Sequence, residues 1–374
     1  MVHTMLFSSI DPLKHCKLLL ACLTVTALLS APVGAIGQSV AVPGDAKIDR
    51  LLVRAQQGYV QDQIQLATAF QMGRGVAPNP AEAAHWFLRA ADQGNPMAQA
   101  EIGYRYLRGT GVAMDERQSF QWFQRAAAEE YAPAQAALAY FFLNGRGARK
   151  DEQEALRWIS RAAQHGFAPA QADLGFWYAR GFVVQRDNEK ALHWIKRAAD
   201  QHFPPAEFLL GTMYETGFAF PRDPGEANRW YRKAADAGYA AAQANLGTLY
   251  ERGDGVAKDL TEAARWYKLA AEQGDGSGCA NLARVYAKGI GVETDYKLAY
   301  FWTIAAQYRV SAMASSLPQS FVQELHHRIP ESELSRVEAE AQDWIRAHPL
   351  PQPEQGFVNA LAAVSGLDVG RVTP

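Results

Sequence analysis

The feature that most constrains this chain is a tryptophan that returns every 36 residues. It occupies seven positions without a slip: Trp86, Trp122, Trp158, Trp194, Trp230, Trp266 and Trp302. A fixed period between about 20 and 50 residues is the signature of repeat proteins, in which each copy buries its apolar face against the next. The spacing therefore predicts seven similar units and argues against a single enzyme core.

The first half of each copy carries a helical pattern that ends at a glycine. In the most regular copy, Leu246 and Tyr250 lie four residues apart and share one helix face, while Gly247 lets a neighbouring helix come close. Gly253 follows, and a glycine stands at this place in all seven copies. Because glycine readily adopts the left-handed conformation that closes a helix, the pattern predicts one helix followed by a tight loop.

The second half of each copy begins with a helix-capping signal. In the same copy, Asp259 stands at the predicted N-cap and Glu262 follows three residues later, which is the capping-box spacing. Ala263, Trp266 and Ala270 then place one large ring between two small side chains on a single helix face. We therefore expect the tryptophan to lie in the core, between closely packed helices.

Together these residues spell the pattern L-G-x-x-Y-x-x-G-x-G-V-x-x-D-x-x-x-A-x-x-W-x-x-x-A-A-x-x-G, which recurs in register seven times. The pattern resembles the Sel-1-like repeat, a relative of the tetratricopeptide repeat, over about residues 44–308. The resemblance implies an all-α, right-handed α-solenoid of seven 36-residue helix-turn-helix repeats. It also implies a protein-interaction scaffold, because members of this family are typically adaptors and regulators rather than catalysts.

The rest of the chain is assigned around the repeats. Arg50 stands where the other copies have tryptophan, so the segment before the first full copy is predicted to be a half-repeat that caps the N-terminal end. After Tyr308 the period is lost, and two amphipathic patterns are predicted to close the other end. The predicted segments are a signal peptide (1–35), a flexible leader (36–44), an N-terminal capping helix (45–62), seven repeats (63–308), C-terminal capping helices (309–348) and a flexible tail (349–374).

The N-terminus has the pattern of a secretory signal. Lys14 and Lys17 precede an apolar run from Leu18 to Leu29, and small residues follow up to Ala35, after which cleavage is expected. The run is shorter than the roughly 20 residues that a membrane span requires. The pattern predicts export to the bacterial periplasm or secretion, with an uncleaved membrane anchor as the alternative.

One row of residues on the first helices is predicted to face away from the core, and we call it the first-helix row. It lies two residues after the leucine position, about 200° away in helical phase, and it comprises Thr68, Tyr104, Tyr140, Phe176, Thr212, Thr248 and Arg284. In solenoids of the family that the chain resembles, first helices line the concave side. We therefore predict a binding groove with an aromatic step of Tyr104, Tyr140 and Phe176, flanked by Arg108, Asn144, Arg180 and Arg252. The alternative is that these aromatic residues only pack between repeats.

Two loops depart from the repeat pattern. Val183 and Ala219 replace the second loop glycine in the fourth and fifth repeats. Because a β-branched residue does not readily take a positive φ, we expect these loops to run differently from the others. The same loops carry Phe182 and Phe218, which either tuck into a neighbouring repeat or form a patch for a partner.

The sequence shows no catalytic or metal-binding constellation. No histidine pair has metal-ligand spacing together with a third ligand, the glycine-rich segment 274–278 lacks the lysine of a phosphate loop, and no G-x-S-x-G motif occurs. The net charge of −2, without a basic run, argues against nucleic-acid binding. We therefore predict no catalytic residue, no metal and no cofactor.

These observations favour a non-enzymatic periplasmic scaffold or regulator whose partner is another envelope protein or a peptide segment. An alternative is a scaffold for cell-envelope or exopolysaccharide assembly that binds peptidoglycan or glycan, because exposed aromatic residues also stack on sugars. A cell-wall hydrolase of β-lactamase type is disfavoured, since the repeat proteins associated with that activity carry paired cysteines in every unit. This chain has three cysteines in total.

Overall fold

The computed structural model describes residues 46–310 and 317–348, and all regular secondary structure within them is helical. The predicted signal peptide, leader and tail lie outside the described residues. The described residues contain 17 helices: α1 (Ala46–Gln56), α2 (Val60–Met72), α3 (Pro80–Asp92), α4 (Pro96–Arg108), α5 (Glu116–Ala128), α6 (Ala132–Asn144), α7 (Glu152–Gln164), α8 (Ala168–Arg180), α9 (Asn188–Ala199), α10 (Pro204–Thr216), α11 (Pro224–Asp236), α12 (Ala240–Arg252), α13 (Leu260–Glu272), α14 (Gly276–Lys288), α15 (Tyr296–Val310), α16 (Gln319–Arg328) and α17 (Glu331–Ala347). Helices α2 to α15 form seven consecutive pairs, which confirms the predicted all-α fold of seven helix-turn-helix repeats.

The chain divides into two compact units, with the boundary after Gln171, inside α8. In the N-terminal unit, each helix from α1 to α7 packs against the next along the chain. In the C-terminal unit, each helix from α9 to α15 does the same, and the closing helices α16 and α17 both pack on α15. None of the described helices combines the length and the apolar character that a membrane span requires.

The predicted helix signals form as expected. The Asp259 carboxylate accepts hydrogen bonds from the backbone N–H groups of Thr261 and Glu262, both at 3.0 Å, at the start of α13. At the other end, Gly253 closes α12 with a φ of 71°, and its N–H donates to the carbonyl of Leu249. These local contacts satisfy backbone groups that a helix terminus otherwise leaves unpaired.

A buried glutamine ties most repeats to the preceding one, and we call this contact the glutamine tie. The side-chain amide, near the start of a first helix, donates to the backbone carbonyl eight residues earlier, at the end of the preceding helix. The tie occurs at Gln63, Gln99, Gln135, Gln171 and Gln243, with distances of 3.0, 3.2, 3.5, 2.9 and 3.1 Å. It spans the turn between repeats and satisfies a buried carbonyl group on the far side of that turn.

The residue that follows the tryptophan belongs to the core in every repeat. The members of this position are all buried: Phe87, Phe123, Ile159, Ile195, Tyr231, Tyr267 and Thr303. Trp86, Trp122, Trp266 and Trp302 are buried as well, but Trp158, Trp194 and Trp230 are only half-buried. The expectation that the tryptophan is the core residue is therefore wrong for three repeats. At Trp158 the Arg161 guanidinium lies 5.1 Å from the centre of the ring.

The loops of the fourth and fifth repeats follow the same path as the others, so the expectation of a different path is wrong. Val183 has a φ of 63° and Ala219 a φ of 67°, close to the 74° of Gly255. The loop is held by hydrogen bonds outside these residues, such as that from the Asp223 N–H to the Tyr214 carbonyl at 2.9 Å. These contacts impose a left-handed conformation that a β-branched residue adopts only at a cost of about 1–3 kcal/mol.

Candidate functional site

The helix face that the sequence analysis expects to point outward carries three positions on each first helix, spaced i, i+3 and i+7, which we call the first-helix stripe. The central residue of each stripe is the residue that this helix contributes to the first-helix row. Because this spacing places side chains on one helix face, each stripe presents a short combination of groups. The stripes are Glu101–Tyr104–Arg108 on α4, Ala137–Tyr140–Asn144 on α6, Asp173–Phe176–Arg180 on α8, Asn245–Thr248–Arg252 on α12 and Asn281–Arg284–Lys288 on α14.

In the N-terminal unit, Tyr104 is part of the core and not of an exposed step. It is 8% exposed, and its ring meets that of Phe123 edge-on at 5.0 Å. The expectation that Tyr104 is exposed is therefore wrong. Gly103, beside it, leaves the space for this packing, because a Cβ there would lie 3.3 Å from the Phe123 ring. Arg108, at the end of the same stripe, is exposed.

The next stripe of the same unit is half-buried. The Asn144 side-chain amide donates to the Tyr140 carbonyl at 2.9 Å, so it closes its own helix. The Arg146 guanidinium lies 6.0 Å from the centre of the Tyr140 ring and also bonds Glu116 at 2.6 Å. Tyr140 and Asn144 thus retain accessible surface, but part of each side chain already serves the repeat.

A buried arginine in this unit escaped the sequence analysis. Arg105 donates to the Gln71 side-chain oxygen at 3.0 Å and to the Pro80 carbonyl at 3.3 Å, and its guanidinium lies 5.0 Å from the centre of the Phe87 ring. Burial lowers the pKa of Arg105, and Glu101 opposes that shift. A signal was present in the sequence, since the other described repeats have an apolar residue at this position. Arg105 joins neighbouring repeats and is not available to a ligand.

In the C-terminal unit, the stripe on α8 is the most accessible. Phe176 is 39% exposed, and Asp173 on the same face is also exposed. Arg180 completes the stripe and is half-buried. One helix face therefore presents a carboxylate, an aromatic ring and a guanidinium in succession.

The threonines of the first-helix row in this unit are occupied by packing. The Tyr267 hydroxyl lies 3.2 Å from the Thr248 Oγ1 and donates to Glu251 at 2.8 Å. Arg284, the row residue of the following repeat, binds the same Glu251 carboxylate with two hydrogen bonds of 2.8 and 2.5 Å. Arg252, beside this network, remains exposed.

The residue types in the first-helix row differ between repeats partly for a structural reason. In several repeats they match the residue that follows the tryptophan. Where the row holds Thr212 or Thr248, the residue after the tryptophan is a tyrosine whose hydroxyl reaches that threonine. Where it holds Tyr140 or Phe176, the residue after the tryptophan is an isoleucine. This pairing is readable in the sequence, and the sequence analysis missed it.

The two unusual phenylalanines lie against neighbouring groups. The Phe182 ring meets the Trp177 ring at 5.7 Å, and the Arg186 guanidinium of the preceding loop lies 5.2 Å from the centre of the Phe218 ring. Both phenylalanines are half-buried. Phe218 thus contacts a neighbouring repeat, as one of the two expectations had it, whereas the contact of Phe182 is with a residue of its own repeat.

Reactive groups in the described residues are held in structural roles. No group of three His, Cys, Asp or Glu side chains there could hold a metal ion. The buried Cys279 occupies the position of the glutamine tie, 3.7 Å from the Ala271 carbonyl, and burial raises the pKa of its thiol to about 12. The His326 ring bonds the Tyr300 hydroxyl at 2.7 Å, and that hydroxyl donates to Glu338 at 2.8 Å, which joins α15 to both closing helices.

The repeats of this chain are similar to those of known repeat proteins. A family model described as the Sel1 repeat matches residues 61–95, 96–131, 132–167, 168–203, 204–239, 240–275 and 276–306. A crystal structure of a Sel1 repeat protein from Oxalobacter formigenes is 34% identical, covers 76% of this chain and 81% of its own, and has a TM-score of 0.60. The crystal structure of c5321, a protective antigen of uropathogenic Escherichia coli, is 26% identical over 76% of its chain and 88% of this one, with a TM-score of 0.44. No curated protein matches the chain.

Proposed function

Because the chain belongs to the Sel1 repeat family, we propose that it is a non-enzymatic scaffold or regulator that binds another protein through its first-helix stripes. The family fold is an α-solenoid, and Sel1 repeat proteins generally mediate protein–protein interactions. The seven repeats account for most of the described residues. The binding role is assigned to stripe side chains that keep accessible surface in the folded repeats.

The observation that carries the proposal is the exposure of Phe176. A phenylalanine that is 39% exposed on a helix face, with a carboxylate one turn before it and a guanidinium one turn after it, is not required by the core. Aromatic and arginine side chains are the usual anchors of protein interfaces. Asn144, Arg108 and Arg252 add polar groups on stripes of the same type. Tyr104 is excluded as an anchor because its ring packs on Phe123.

The proposed partner is another envelope protein or a peptide segment of one. The support for an envelope location is the secretory pattern that ends near Ala35, which suggests export to the periplasm or retention by an uncleaved anchor. Taken together, the stripes present charged, aromatic and amide groups. Such a combination suits an extended peptide, whose backbone bonds amides while its side chains contact an aromatic ring. A glycan ligand would use the same aromatic ring, so the test must distinguish the two.

Site-specific photo-crosslinking tests the proposal. A photoreactive phenylalanine analogue replaces Phe176 in one sample and Met114, a loop residue that is 66% exposed, in a matched control. Each protein is mixed with solubilised envelope extract and irradiated, and the adducts are identified by mass spectrometry. We expect a defined protein adduct from position 176 that is absent from position 114 and weakened by Arg180→Ala.

Three results would contradict the proposal. They are equal adducts from both positions, no adduct from position 176 in a protein whose circular dichroism is unchanged, and adducts with glycan fragments alone. The last result would instead support the scaffold for envelope or exopolysaccharide assembly.

A further inference from the structure

The fifth repeat replaces the glutamine of the tie by a glutamate. Five described repeats use a glutamine at this position and the seventh uses Cys279, whereas the fifth has Glu207. The Glu207 side chain is only 3% exposed. In the register of the tie, its target is the carbonyl of Ala199 at the end of α9. A buried carboxyl group therefore stands where the other repeats need a hydrogen-bond donor.

Protonation decides whether Glu207 can make that bond. An ionised carboxylate only accepts hydrogen bonds, so it cannot bond a backbone carbonyl, whereas a protonated carboxyl has one O–H that donates. Burial also disfavours the charged form. In agreement, desolvation raises the pKa of Glu207, and the charges of Lys233 and His202 oppose that shift.

Two charged or titratable groups face Glu207 from the neighbouring elements. The His202 Nδ1 in the turn between α9 and α10 lies 3.8 Å from the Glu207 Oε1, and Lys233 contributes its charge from α11. His202 has a φ of 57°, at a turn position where five other repeats have a glycine. The histidine side chain is mostly exposed. Both groups favour the ionised carboxylate electrostatically. The Ala199 carbonyl already accepts the backbone N–H of His202 at 2.9 Å, so a protonated Glu207 would give it the second hydrogen bond that glutamine gives at the other junctions.

We propose that the α9–α10 junction is a pH-sensitive link, closed by protonated Glu207 in the way that glutamine closes the other junctions and loosened when Glu207 ionises. The direction of the pH dependence follows from the linkage between protonation and folding. A carboxyl group whose pKa is raised by folding keeps its full contribution below the ordinary glutamate range, and that contribution is lost as the pH rises through the folded-state pKa. The link is therefore tightest in mildly acidic solution. This property does not depend on the proposed partner or on the stripes.

Hydrogen exchange read by mass spectrometry tests the link locally. Protection factors, corrected for intrinsic exchange, are compared at mildly acidic and mildly basic pH for peptides that span the α9–α10 and α11–α12 junctions. In the wild type, we expect protection at α9–α10 to fall about two- to tenfold as the pH rises, the range expected for one net hydrogen bond. Protection at α11–α12, closed by Gln243, should stay constant.

The chain itself offers matched variants. Glu207→Gln restores the tie of the other repeats, so protection at α9–α10 should become independent of pH and should match the acidic wild type. Gln243→Glu should transfer the pH-dependent fall to the α11–α12 junction. A wild type without the fall, or a Glu207→Gln variant that keeps it, would overturn the proposal. A fall that occurs equally at both junctions in the wild type would also contradict it, because it would reflect the whole repeat array.

Discussion

Replacing Tyr231 by alanine should destabilise the protein more than replacing the neighbouring tryptophan, Trp230. Tyr231 is 0% exposed, and its ring rests directly on Gly211, where a Cβ would lie only 2.7 Å from the ring. Its hydroxyl also lies 3.0 Å from the Thr212 Oγ1 and 2.7 Å from the Glu215 Oε2. The ring therefore fills a site that the neighbouring helix cannot close by moving inward.

The expected magnitudes follow from this burial. Removing a fully buried aromatic side chain costs about 3–5 kcal/mol, so Tyr231→Ala should reduce the free energy of unfolding by that amount. Trp230 is half-buried, with the Lys233 ammonium 3.8 Å from its ring centre, so Trp230→Ala should cost about half as much. Tyr231→Phe retains the ring and removes the hydroxyl, which should cost about 0.5–1.5 kcal/mol.

Urea unfolding followed by circular dichroism measures the three variants beside Phe176→Ala, a surface control expected within about 0.5 kcal/mol of the wild type. Because repeats are stabilised by their neighbours, limited proteolysis should also place new cleavage sites near the fifth repeat of Tyr231→Ala. If Trp230→Ala costs as much as Tyr231→Ala, then the residue after the tryptophan is not the centre of the repeat core, and the reasoning fails.

Three further variants probe other parts of the fold. Val183→Gly should stabilise the protein by about 1 kcal/mol in urea unfolding, because relief of the positive φ outweighs the added backbone entropy; a lower midpoint would show that the loop is unstrained. Arg284→Ala should cost about 1–2 kcal/mol at neutral pH. Burial alone would raise the pKa of Glu251, but the hydrogen bonds from Arg284 lower it, so the stability that this ion pair contributes is lost as the pH falls. In the Arg284→Ala variant, the free energy of unfolding should therefore decrease less steeply with falling pH than in the wild type. Tyr300→Phe removes the hydroxyl that joins α15 to both closing helices, and hydrogen-exchange protection should fall in residues 319–347 while the second repeat, as internal control, is unchanged.

The local signals of the repeat were sufficient to predict its architecture. The 36-residue period, the glycine at each first-helix end and the aspartate or asparagine before each second helix depend on residues within one copy. Their contacts are also local: Asp259 caps the helix that it precedes, and Gly253 closes the helix that it follows. Seven copies repeat the same signals, so the all-α repeat fold is readable from the chain alone.

Whether a side chain is exposed depended on contacts that cross from one helix to another. Helical phase placed Tyr104 and Phe176 in one exposed row, yet Tyr104 packs on Phe123 while Phe176 stays accessible. Phase describes a single helix and carries no information about the space that the facing helix leaves. That space is set by the residue after the tryptophan, which lies on the other helix of the repeat.

The strained loop shows the same division between local preference and tertiary context. The conformational preference of valine predicted that Val183 would not take a positive φ. Backbone hydrogen bonds between the two ends of the loop nevertheless impose that conformation. Likewise, the sequence showed a glutamate among glutamines at position 207, and only the fold revealed that its side chain is buried. Periodic, within-copy interactions determine which helices form, and packing between helices decides which side chains remain for a partner.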